Sequence, residues 1–453
     1  MKYCSSGIPN LDEVLGGGLP KPSMILIGGP PGVGKTTFVL QSLSKAAENG
    51  EKTLYLPLTS QSVEKLTDFL HSYHFFNDDI IVHPIDRSTA EKDPLTTLLD
   101  IGNILASTNP DRLVLSPLTT LGFGFSQQER RRFFYSFDSI LQDRSAQTLV
   151  TGEMNRTEMD ESILSNIADG VIFLNREKAG KKKIRKLEVI KFRGMSEVPD
   201  NGSSIYEFKI GSEGIYLFPK LKSQTTHQLR NGHKLSTGVG GLDEMMHGGL
   251  PKQSILLVAG GAGLGKSTIG LQFIMAGLRI GEPGVIVIFE EQDDQFIFEA
   301  SRMGWDLQEY IDKGLLRILH SNPHEILPDE HNLLIKCAIE EIGAKRLFMD
   351  GIYNLEIALP DSLEMKEHVM LLTDFLKFKG ITALFTNEVT ELSNLDKMPE
   401  LGVSSIADAI LVLHFVEDGI RFERVLSVVK LRGSDHDRTI RKYHINNNGV
   451  EII

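Results

Sequence analysis

Cysteine is almost absent: Cys4 and Cys337 are the only two in 453 residues. That excludes a disulfide framework and points to a reducing compartment. No C-x-x-C occurs and the 13 histidines have no metal-ligand spacing, so a zinc centre is not expected. Long apolar runs are missing too, and none approaches the length needed to cross a bilayer. The N-terminus, MKYCSSGIPNLDEVL, lacks the charged-then-apolar order of a signal peptide. Net positive charge is lacking as well. At −12 the surface is not expected to coat nucleic acid, although a local basic patch is compatible with that balance. The apolar content of 41% and charged content of 24% are ordinary globular values. A soluble cytoplasmic protein is expected.

What the chain has is a duplication. GGLPKPSMILIGGPPGVGKTT, starting at Gly17, returns 231 positions later as GGLPKQSILLVAGGAGLGKST, starting at Gly248. The same offset relates Asp12 to Asp243, Pro20 to Pro251 and Lys35 to Lys266. So long a period predicts a duplicated domain rather than a short-repeat solenoid. The halves are assigned to residues 1–222 and 223–453, with the polar stretch 219–234 as linker. Each half is long enough to bury its own core.

Each half reads as α/β. In the first, apolar strands are expected at 23–28, 53–58, 80–84, 112–115 and 148–151. Helices are expected at 35–49, from 63 onward, and at 129–141. This alternation predicts a mostly parallel sheet with helices on both faces. Strands at 171–176 and 184–192 then read as an added antiparallel hairpin, followed by strands at 204–210 and 214–217. The second half repeats the order, with strands at 254–259, 285–289, 346–349 and 383–386 and a hairpin of 409–415 with 422–431.

Both Gly29–Thr36 and Gly260–Ser267 fit G-x-x-x-x-G-K-[ST]. Gly29, Gly32 and Gly34, like Gly260, Gly263 and Gly265, let the backbone curl so that N–H groups face phosphate oxygens. The start of the next helix, with Thr37 or Thr268, adds its positive dipole end. Lys35 and Lys266 would reach the β- and γ-phosphates, and Thr36 and Ser267 would hold Mg²⁺.

The halves diverge in their carboxylates. In the second, VIVIFEE ends a strand on Glu290 and Glu291, and RLFMD ends the next on Asp350. These acids fall at the carboxyl edge of the sheet, where base catalysis and metal support are needed. In the first half the offset lands on Thr59 and Ser60, and RLVLS puts Ser116 where Asp350 stands, at a spacing grown to 234. The first half is therefore expected to bind nucleotide and hydrolyse it poorly, and the second to hydrolyse it.

The doubled L-D-E…G-G-L-P opening, paired Glu290 and Glu291, the strand LFTNE and the late KLRGSDHD resemble the KaiC family of tandem RecA-like ATPases over nearly the whole chain. The resemblance implies a double-ringed homohexamer with ATP and Mg²⁺ between neighbouring subunits. It implies Glu290 as the activating base, with Glu291 its neighbour. Thr386, Asn387 and Glu388 would form a sensing strand end, as would Thr151, Gly152 and Glu153 in the first half. It also implies that Lys430 and Arg432, with Lys191 and Arg193 in the first half, reach the adjacent subunit's ATP. A cation from a neighbour would neutralise charge on the transferring phosphoryl group. Ser404 and Ser405 fall where the family phosphorylates itself, so serine/threonine autokinase activity is a further expectation. The chain departs from the clock protein at its C-terminus, where the tail that meets a stimulating partner is not found, so clock-like regulation is not implied.

Two other functional classes fit the same fold. One is a DNA-binding recombinase or helicase ATPase, which the acidic balance weighs against. The other is a nucleotide-gated scaffold for signalling proteins. The basic run KAGKKKIRK at 178–186 reads as a solvated hairpin tip, Arg130 to Arg132 as water-facing, and Trp305 as core or subunit contact.

Overall fold

A computed structural model of the chain describes residues 2–59, 62–86, 93–121, 125–142, 145–179, 182–193, 205–221, 232–289, 292–389 and 405–453. The chain divides into two compact units, Met1–Lys220 and Leu221–Ile453.

In the first unit the loop strand Ser23–Gly29 lies mid-sheet, with Met24 to Ile27 buried. An apolar run without alternation suits a strand covered on both faces. On one side follow Gln147–Glu153, Arg112–Ser116, Thr53–Thr59 and the short Ile81–Val82, all parallel. On the other side Gly170–Ala179 pairs parallel to the loop strand, and Lys182–Phe192, Ile205–Gly211 and Gly214–Phe218 continue antiparallel. The second unit has the same order. Leu316–His320, Gly284–Ile288, Arg346–Asp350, Thr382–Glu388, the loop strand Ile255–Gly260 and Ala409–Asp418 are parallel. Arg421–Leu431, Arg441–Asn446 and Gly449–Ile452 complete it antiparallel. Among the described residues, no helix is long and apolar enough to cross a membrane.

The sequence reading assigns no helix between 85 and 111, yet Pro94–Thr108 is one. Asp93 caps it, accepting from the Thr96 amide at 3.1 Å, with proline at its first position. Leu98, Ile101 and Leu105 form its buried stripe. Trp305 belongs to the second unit's core, and Arg130 to Arg132 are exposed.

Each unit is tied together by an arginine that opens its third core strand. Arg112 donates to the Ser42 carbonyl and hydroxyl at 3.1 and 2.9 Å and to Glu51 at 3.3 Å. Arg346 donates to the Ser236 and Phe273 carbonyls, both at 2.8 Å, and to Glu282 at 2.9 Å. Burying a guanidinium is tolerable only with such partners. The bonds fix the loop helices, Lys35–Glu48 and Lys266–Leu278, against the sheet.

The second unit also buries two histidines. His331 and His368 stack with ring centroids 5.9 Å apart, and Phe289 lies 5.6 Å from His331. Asn332 Nδ2 bonds His368 Nδ1 at 3.0 Å, while both His331 nitrogens have no partner among the described residues. Burial, then the neighbouring His368, pushes the His331 pKa down to about 3, and burial pushes His368 down to about 4. Both rings are neutral in the fold, whereas the unfolded chain protonates them below about pH 6.5. Their contribution is whole above that pH and declines as pH falls towards 4 and then 3. Denaturant titrations at pH 7 and pH 5 are expected to differ by about 2 kcal/mol per histidine. The His331→Leu/His368→Leu chain should lose most of this difference. An undiminished pH effect in that chain would assign the acid sensitivity elsewhere.

Candidate functional site

The two phosphate-loop sites are built alike. Each loop leaves the end of a central strand and enters a helix, with Gly34 (φ +117°) or Gly265 (φ +84°) at the junction. A Cβ at Gly34 would meet Ile210 at 2.7 Å, and one at Gly265 would meet Ile445 at 2.6 Å. The positive φ favours glycine at both junctions, and a side chain there would also have to displace the tip of that isoleucine. Lys35 Nζ donates to the Gly29 and Pro30 carbonyls at 2.8 Å each, and Lys266 Nζ to the Gly261 carbonyl at 2.8 Å. Burial lowers the Lys35 pKa, while Glu153 acts in the opposite direction. Thr36 is half-buried and Ser267 exposed, while Thr37 and Thr268 are buried in the first helical turn. Tyr443 Oη supports the second loop by donating to the Leu264 carbonyl at 2.6 Å.

In the first unit a cleft of about 300 Å³ is lined by Gly32, Gly34, Lys35, Thr36, Thr37, Tyr73, Ser116, Thr151 and Glu153. Tyr73 was not singled out from the sequence. The cluster F-L-H-S-Y-H-F-F at 69–76 was the available signal, and an aromatic face beside a phosphate loop suits stacking on a base.

Ser116 and Asp350 occupy equivalent places. Both end the third core strand beside a threonine of the fourth: Ser116 Oγ lies 2.6 Å from Thr151 Oγ1, and Thr386 Oγ1 donates to Asp350 Oδ1 at 2.5 Å. Thr386 Oγ1 also accepts from the Gly351 amide at 2.8 Å. The threonines pair in register with Ile27 and Val258 of the loop strands. The third strand lies two strand spacings from the loop strand, about 10 Å. Asp350 and Ser267 supply the hard oxygens Mg²⁺ prefers, so this donor set fits the metal. In the first cleft Thr36 corresponds to Ser267 and Ser116 to Asp350, while Glu153, at the end of the fourth strand, corresponds to Glu388 of the second unit. Glu290 and Glu291, and Ser60 in the first unit, lie outside the described residues.

The late cations are not at their own loops. Lys191 Nζ donates to the Ser165 and Asn166 carbonyls at 3.0 and 3.1 Å, and Arg193 to Asp169 at 3.2 Å. Asp169 also accepts from the Met24 amide, at the start of the loop strand. Arg432 donates to the Ser405 carbonyl at 3.1 Å, its amide bonds the Asp408 carbonyl, and Asp408 accepts from the Ile255 amide at 3.1 Å. Lys430 pairs with Ile410, low on its strand. Burial and the neighbouring arginine lower the pKa of Lys191 and Lys430. Along the strand the two lysines lie about 10 Å below the loops and the two arginines, at the opposite sheet edge, about 16 Å. Ser405 is exposed, and Ser404 lies outside the described residues.

The family described as "ATPase: KaiC" matches the chain twice, over residues 4–222 and 235–453. The circadian clock oscillator protein KaiC of Picosynechococcus sp. is 29% identical over 473 residues, spanning 98% of this chain and 88% of that protein. KaiC 1 of Synechocystis sp. is 28% identical, spanning 98% and 88%. KaiC of Thermosynechococcus vestitus is 29% identical, spanning 100% and 89%. With two phosphate loops on two RecA-like sheets, the chain belongs to the KaiC family of nucleotide-binding ATPases.

Proposed function

We propose that this chain is a ring ATPase in which the second unit hydrolyses ATP and the first holds it. The observation that carries this reading is the exchange of Ser116 for Asp350 in matching surroundings, each beside the threonine of the adjacent strand. A serine hydroxyl cannot replace a carboxylate as a counter-charge to a divalent ion. Glu290 is assigned as the base that takes a proton from the attacking water, with Glu291 beside it. In the first unit Thr59 and Ser60 stand at those offsets. Ser267 and Asp350 would hold Mg²⁺, which when bound would supply charge neutralisation for the triphosphate. Lys266 and the loop amides hold the phosphate chain in place, and Lys35 with Thr36 does so in the first unit.

The position of the late cations supports shared sites. Lys430 and Arg432 are held towards the opposite sheet edge from the second loop, so a nucleotide within their reach is not the one at Lys266, and we assign it to another copy of the chain. A closed ring, a homohexamer by family resemblance, satisfies that head-to-tail arrangement. Self-phosphorylation at Ser404 or Ser405 belongs to the same proposal; it is supported by the bond from Arg432, assigned to reach the neighbour's ATP, to the Ser405 carbonyl.

ATP turnover, nucleotide retention and intact mass of the full chain test this reading. Glu290→Gln is expected to keep nucleotide, lose turnover by about 10²-fold or more and carry no phosphate on either serine. Lys35→Ala should lose retained nucleotide and keep most turnover. Turnover that survives Glu290→Gln but not Lys35→Ala would reverse the roles of the units. Mixing Arg432→Ala chains with Glu290→Gln chains should recover activity, because each supplies what the other lacks at one interface. A mixture as inactive as its parents rules out the shared site.

A further inference from the structure

The two hairpins differ beside their loops. In the first unit the hairpin register pairs Arg176 with Arg185, and in the second it pairs Phe415 with Arg424. The equivalence is fixed at both ends. Ile25 and Leu256, equivalent in the loop strands, pair with Gly170 and Ala409, and the same bulge falls between Val189 and Lys191 and between Val428 and Lys430. Arg185 therefore corresponds to Arg424, and Arg176 stands where the second unit has Phe415.

Their contacts differ accordingly. Arg424 Nε donates to the Gly263 carbonyl at 3.3 Å, with its guanidinium 5.6 Å from the Phe415 ring. In the first unit Arg176 Nη2 makes the matching bond, to the Gly32 carbonyl at 3.0 Å. Arg185 Nε is buried without a hydrogen-bond partner among the described residues. Burial, then the charge of Arg176, lowers the Arg185 pKa. Glu177, paired with Lys186 at 2.7 Å, and Glu188, paired with Arg156 at 3.0 Å, alternate to the other face of the hairpin, and Glu153 is the acid that lines the cleft. Two guanidiniums thus stand side by side at the loop and repel each other until an anion joins them. The same site lacks the carboxylate of Asp350.

We infer that Arg176, with Arg185 beside it, supplies at the first loop the positive charge that carboxylate-held Mg²⁺ supplies at the second, so the first unit holds a nucleoside triphosphate with little dependence on Mg²⁺. This rests on the reading of the first unit as a nucleotide-holding site. Arg176 is a positioning and affinity residue here, and no bond is made or broken.

The test uses the full chain carrying Lys266→Ala, so that binding reports the first loop. A fluorescent ATP analogue is titrated in excess Mg²⁺ and again in EDTA. Chelation is expected to weaken binding by less than about threefold with Arg176 present. A charge-assisted bond is worth about 1.5–3 kcal/mol, so Arg176→Phe should weaken binding in EDTA by roughly 10–100-fold. In Mg²⁺ the loss should be smaller, and Arg176→Lys should recover part of it. Thermal melting controls for folding, and Arg176 is exposed enough for the substitution to leave it unchanged. Equal binding by the Arg176→Phe chain in EDTA, or abolition of binding by EDTA when Arg176 is present, overturns the inference. If Lys266→Ala alone removes all binding, the nucleotide-holding reading fails first. Binding by the Lys266→Ala chain that persists when Lys35→Ala is added lies outside the first loop and fails that reading as well.

Discussion

The parallel register between each loop strand and the fourth core strand governs both sites. It brings Thr151 and Thr386 alongside the loop strands, where each threonine meets the last residue of the third strand. Parallel strands place their carboxyl ends on one edge, and helix N-termini follow there. The loop amides, the Ser267 and Asp350 oxygens and the strand-end threonine are thereby gathered on a single rim. The buried arginines keep this geometry rigid, because each links the third strand to the helix that follows the loop.

Within that shared frame, function diverges by exchanges that leave the packing intact. Serine replaces aspartate at the end of the third strand, and arginine replaces phenylalanine on the hairpin. Both exchanges make the first rim more positive. A site that gains a fixed cation and loses the carboxylate at the end of the third strand favours gripping a triphosphate over directing water at it. On the proposed reading, the two copies separate holding from hydrolysis without altering the fold that positions either.

The opposite edge has its own logic. Asp169 and Asp408 accept from the first amides of the loop strands and gather Arg193 and Arg432 around them. Cations fixed there are too far from their own loop to serve it. A sheet with loops on one edge and anchored cations on the other has the polarity of a head-to-tail assembly.

Much of this was legible in one dimension. The strands, the loops and the duplication follow from apolar runs, glycine spacing and a constant offset, which are local properties of the chain. The equivalence of Ser116 and Asp350 was legible too, though the offset drifts there. The helix Pro94–Thr108 was not assigned, because its narrow buried stripe of Leu98, Ile101 and Leu105 lies within a weakly patterned stretch. Tyr73, Arg176, Arg424 and Tyr443 were invisible as site residues, since each reaches a loop from a distant segment. The sequence alone determined that two phosphate cradles exist and that their acids differ. Only tertiary structure decided which side chains face each cradle and which sheet edge holds the late cations, because strand pairing, not order along the chain, sets those distances.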